Sequence, residues 1–75
     1  MQLSGRLKRW CGTYGFIEAK DGFDYFFCKS NIATHQRELH FRPGQGLVFT
    51  VNKVPDPGAE DSAARYGKAG VVTAV

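Results

Sequence analysis

Two short aromatic runs on either side of one turn constrain this chain more than any other feature. The first is Gly12-Thr13-Tyr14-Gly15-Phe16-Ile17 and the second is Asp24-Tyr25-Phe26-Phe27-Cys28, with Lys20-Asp21-Gly22 between them. An Asp-Gly step between such runs is a strong hairpin signal, because type I′ turns need positive φ at both central positions. Residues 14–19 and 22–28 are therefore expected to pair as antiparallel strands. Side chains alternate faces along a strand, so one firm assignment on each strand places the rest. Ile17 is a core residue, which turns Tyr14 and Phe16 outward. Asp24 stays out of the core, and Phe26 and Cys28 share its face. The inner set is then Ile17 with Tyr25 and Phe27.

The rest of the chain repeats the pattern in weaker form. No long stretch keeps apolar residues at helical spacing, whereas short alternating runs bounded by Gly, Pro, Asn and Asp recur. Further strands are expected over residues 3–10, 47–54 and 67–75, and one short helical turn within residues 29–34. Residues 35–41 and the polar, flexible 55–64 read as loops. Pro43-Gly44-Gln45-Gly46 reads as a turn, and Gly5 marks a bend or bulge in the first strand. Seventy-five residues make one domain, 1–75. An open five-stranded sheet would leave edges prone to aggregation. The expected architecture is thus all-β, a small five-stranded antiparallel barrel.

Composition bears on function at two points. Seven of the ten aromatics fall between Trp10 and Phe27, more than a small core in that segment can bury. Residues 55–62 hold three of the seven acids (Asp56, Glu60, Asp61) and no base, leaving ten bases against four acids elsewhere. A basic body with a contiguous exposed aromatic patch suits a polyanion that also stacks, namely single-stranded nucleic acid. A second class stays open: small barrels also bind peptides, and aromatic faces suit proline-rich ligands. Other chemistry is poorly served. Cys11 and Cys28 lie too far apart, with His35 and His40, to supply the close cysteine pair of a structural zinc site. No base is positioned to activate Cys28, and neither a metal nor a cofactor is expected. No apolar run is long enough for a membrane span. With no apolar leader after Met1, the expectation is a cytoplasmic protein with reduced thiols.

At these residues the chain resembles a cold-shock domain, a member of the OB-fold barrels. That family's first aromatic motif, Lys-Gly-Phe-Gly-Phe-Ile, is met by Gly12-Thr13-Tyr14-Gly15-Phe16-Ile17. Its second, Val-Phe-Val-His-Phe, is met by Tyr25-Phe26-Phe27-Cys28-Lys29. Ser30-Asn31-Ile32 and Gly44-Gln45 match later signatures, and Gly5-Arg6-Leu7-Lys8 with Arg9-Trp10 resembles the opening Gly-x-Val-Lys-Trp. The resemblance implies a five-stranded antiparallel OB-fold that binds single-stranded RNA or DNA without catalysis. Such proteins act as RNA chaperones or in regulation of transcription or translation. It carries the binding face onto Lys8, Trp10, Tyr14, Phe16 and Phe26, with Cys28 and Lys29 at its altered edge. In the family those last two positions are a histidine and an aromatic. The segment before the first motif is about two residues shorter than in the family, and the loop before the last strand is longer and acidic. A monomer is expected, with strand exchange between copies as the alternative. For the aromatic of the family's long loop the options here are Leu39, His40 and Phe41, of which Phe41 reads as a core anchor.

Overall fold

A computed structural model of the chain describes residues 2–36 and 40–75. Five strands, β1 (Gln2–Trp10), β2 (Tyr14–Ala19), β3 (Asp24–Cys28), β4 (Gly46–Lys53) and β5 (Gly67–Ala74), close into a barrel in the order β1-β2-β3-β5-β4. It is a small barrel of the OB type, and the strand ends lie close to those read from the alternation. One seam departs from the all-antiparallel expectation. β3 and β5 run parallel, with Tyr25 opposite Gly67 and Phe26 opposite Lys68. The reason is parity: directions that alternate around a closed ring of five cannot all oppose their neighbours.

That parallel seam is short, and the chain after β3 completes it with amide side chains. Single 3₁₀ turns occupy Lys29–Asn31 and Thr34–Gln36. Asn31 accepts the Cys28 N–H at 2.7 Å and donates to the Gly70 carbonyl at 3.0 Å. The Ala33 N–H donates to the Val72 carbonyl at 2.8 Å. Gln36 accepts from the Ala74 N–H at 2.6 Å and donates to its carbonyl at 3.2 Å. Backbone groups on the free side of β5 are thereby satisfied without another strand, as buried backbone requires.

Leu7, Ile17, Tyr25, Phe27, Ile32, Leu47, Phe49 and Val72 fill the interior, each at most 2 % exposed. Each such burial stabilises by about 1.5–3 kcal/mol. Phe41 joins them, so the β3–β4 aromatic at that position is core. His40 is exposed, and Leu39 lies outside the described residues.

Two local details differ from the sequence reading. The β2–β3 turn is not type I′: Gly22 has φ 89°, but no residue other than glycine has positive φ among the described residues. The Gly22 N–H donates to the Ala19 carbonyl and the Ala19 N–H to the Phe23 carbonyl, both at 3.0 Å. This is a three-residue loop with glycine at its left-handed position. Asp21 instead uses its carboxylate, accepting the Phe23 N–H at 3.0 Å and the Tyr25 hydroxyl at 2.7 Å. The bulge of β1 also lies elsewhere. Register with β2 shifts between Leu7 and Arg9, at Lys8. Gly5 marks a close approach, where a Cβ would strike the backbone of Glu18 and Ala19.

Candidate functional site

The outer surface of the β2–β3 hairpin is built by direct cross-strand pairs. Phe16 lies opposite Phe26, Tyr14 opposite Cys28, and Glu18 opposite Asp24. The three aromatics expected on the solvent face are therefore brought together. Ring centroids are 5.6 Å apart for Phe16–Phe26, 5.7 Å for Tyr14–Phe26 and 6.5 Å for Tyr14–Phe16. All three side chains remain partly accessible, Tyr14 the most so at 37 %.

A fourth ring completes the cluster. Tyr66 stands edge-on to Phe16 at 5.1 Å and lies tilted over Phe26 at 6.3 Å. Only loop position speaks for Tyr66 in the sequence, where solvation in the loop is the simpler reading. The loop itself delivers the ring. The Asp56 N–H donates to the Ala64 carbonyl at 3.1 Å, and Asp56 Oδ1 accepts the Gly58 N–H at 3.2 Å. Arg65 Nε donates to the Ala59 carbonyl at 2.8 Å, and a helical turn over Ser62–Arg65 leads into Tyr66. The polar 55–64 segment is thus tied to itself, and Arg65 is occupied in holding it.

Trp10 does not join this face. Past the bulge it pairs with Gly15, an inward position. Its ring stacks on Phe27 at 5.4 Å and 12°, and touches Phe41 at 5.6 Å. Gly15 makes this possible, since a Cβ there would come within 2.9 Å of the Trp10 ring. The same bulge turns Arg9 outward, directly opposite Phe16. A shallow groove beside Phe16 is lined by Lys8, Arg9, Asp24 and Tyr66.

Charge around the rings is uneven. Lys8 is exposed as expected, but its Nζ pairs with Asp24 Oδ2 at 3.0 Å, and this hydrogen bond is the main reason its pKa is raised. An exposed pair of this kind contributes little to stability. It does cancel one cation at the edge of the platform. Arg9, Lys29, Lys53 and Lys68 are exposed and in no ion pair among the described residues. Lys29 sits just beyond β3, its N–H bonded to the Thr13 carbonyl at 2.8 Å. Cys28 is half-buried beside Tyr14, and both cysteines are free. The Tyr14 phenol has its pKa raised, chiefly by a hydrogen bond with Cys11, while the Arg9 charge acts the other way.

Among the described residues, no cluster of His, Cys, Asp and Glu is placed to hold a metal ion. No helix is long and apolar enough to cross a membrane. In comparison with known proteins, the chain matches no family model and no curated sequence.

Proposed function

We propose that this protein binds single-stranded nucleic acid, RNA or DNA, on the outer face of β2 and β3. The observation that carries the reading is the cluster of Tyr14, Phe16, Phe26 and Tyr66 on a barrel wall, where Phe16 and Phe26 touch each other and both outer rings and every ring stays at least partly accessible. Contiguous accessible aromatics are costly unless a ligand uses them. OB barrels use this same strand face and the loop before the last strand to hold oligonucleotides. Every base offers a π-face, worth about 1–3 kcal/mol per stack. Exposed Arg9, Lys29 and Lys68 border the rings and supply phosphate contacts.

The resemblance to cold-shock domains points the same way, with a modified set of residues. Trp10 drops out of the face, while Arg9 and Tyr66 enter it. The activity is binding, with no catalytic step. Holding unpaired strands open in the cytoplasm would make the protein an RNA chaperone or a regulator of transcription or translation.

The test is anisotropy of labelled oligo-U and oligo-dT across a salt series, with Phe16→Ala alongside. An external label is preferable to Trp10, whose ring packs on the inner side of the wall. Log K should fall against log salt by about 0.7 per phosphate contact. Absence of binding at low salt would sink the proposal.

A further inference from the structure

The barrel register places five outward residues in one row across all five strands. Arg9 on β1 is opposite Phe16 on β2, Phe16 opposite Phe26 on β3, Phe26 opposite Lys68 on β5, and Lys68 opposite Lys53 on β4. Two rings are thus flanked by one cation on one side and two on the other. Measured along the wall, four inter-strand steps of about 4.8 Å make the row about 19 Å long.

Both ends of the row depend on irregularities in the strands. On β1 the shift at Lys8 brings Arg9, rather than Lys8, opposite Phe16. On β4 the register with β5 shifts twice, between Phe49 and Val51 and again between Val51 and Lys53, and from the Val51–Ala69 pair the second shift brings Lys53, rather than Asn52, opposite Lys68. Bulges commonly re-aim side chains beside functional sites. The product on β4 is unfavourable in the free protein, because like charges directly opposite on neighbouring strands repel. Neither lysine is relieved by an ion pair among the described residues. A row of phosphates is the partner that would turn this repulsion into attraction.

We propose that Lys53 and Lys68 form the phosphate track on the far side of the rings, so that a bound single strand runs across the β-strands from Arg9 to Lys53. The inference rests on the nucleic-acid reading above and adds its direction and its second anchor. No sequence signal marks these lysines, since they are 15 residues apart and meet only through the β4–β5 register.

The experiment combines a salt titration of oligo-U binding with thermal unfolding of the free protein, for wild type, Lys53→Gln, Lys68→Gln and the double variant. Each single change should make the salt slope shallower by about 0.7, and the double change by about 1.4. Without nucleic acid, each should melt at or above the wild-type temperature, because repulsion has been removed. Phe26→Ala should weaken binding and keep the wild-type slope. If wild type binds while the double variant keeps the wild-type slope, the track is refuted and the ring platform survives. If wild type binds nothing at low salt, the track and the functional reading fall together.

Discussion

Phe26, like Phe16, touches all three other rings of the cluster, and Phe26→Ala tests the stacking face directly. Buried aromatic pairs contribute about 0.5–1.5 kcal/mol each beyond area. These pairs lie on the outer wall, and truncation opens the site to solvent instead of leaving a closed cavity. The expected stability loss is therefore about 1–2 kcal/mol, within the range of ordinary substitutions. A 75-residue domain has roughly 4–11 kcal/mol to lose, so the variant stays folded. Phe27→Ala, one residue along but fully buried, should lose about 3–5 kcal/mol. A binding defect there would report unfolding.

For a stacked base, loss of the Phe26 ring should weaken binding by about 1–3 kcal/mol, or about 5- to 150-fold in Kd. The assay is anisotropy with labelled oligo-U, read beside urea unfolding of the same preparation. Phe26→Leu adds a discriminating arm. Leucine keeps apolar bulk and loses the π-face, so for stacking it should resemble alanine. For a peptide groove it should resemble wild type. A folded Phe26→Ala protein with wild-type Kd would refute the stacking argument. A Phe26→Leu protein that binds normally would move the face toward peptide recognition.

Tyr66→Ala should weaken oligo-U binding by about 1–3 kcal/mol with little change in unfolding midpoint, if Tyr66 is a fourth stacking ring rather than a cover; tighter binding would reverse that assignment. Asp24→Asn removes the carboxylate that holds Lys8 at 3.0 Å, so a salt titration should show a slope steeper by about 0.7 and stability changed by less than about 1 kcal/mol. The Tyr25 hydroxyl is pushed up to about 12, first by desolvation and then by its bond to Asp21. A raised pKa favours the protonated phenol in the folded state. Its contribution is therefore complete below the ordinary tyrosine value near 10 and lost as pH climbs toward about 12. Tyr25→Phe should flatten urea stability over that interval, and an unchanged pH profile would count against the buried, carboxylate-bound phenol.

The elements legible in the sequence are those decided locally. Ile17 and Asp24 gave opposite faces to the two strands of one hairpin, and a single parity argument then placed Tyr14, Phe16 and Phe26 outside with Tyr25 and Phe27 inside. Gly22 and Gly44, both at φ 89°, mark turns that any chain with this backbone must put between strands. The hidden parts depend on residues far apart in the chain. Parity along β1 breaks at Lys8, a residue with nothing unusual about it, because the strand must serve two partners: β4 along Gln2–Arg6 and β2 along Gly5–Trp10. That one-residue slip exchanges the two neighbours on either face, sending Trp10 in against Phe27 and Arg9 out against Phe16. Tyr66 and Lys68 reach the rings only through the parallel seam that an odd-stranded barrel requires. The same closure that makes the fold readable as a barrel therefore decides which cations and which fourth ring the platform receives. Local pattern supplies the centre of the site, and long-range register supplies its borders.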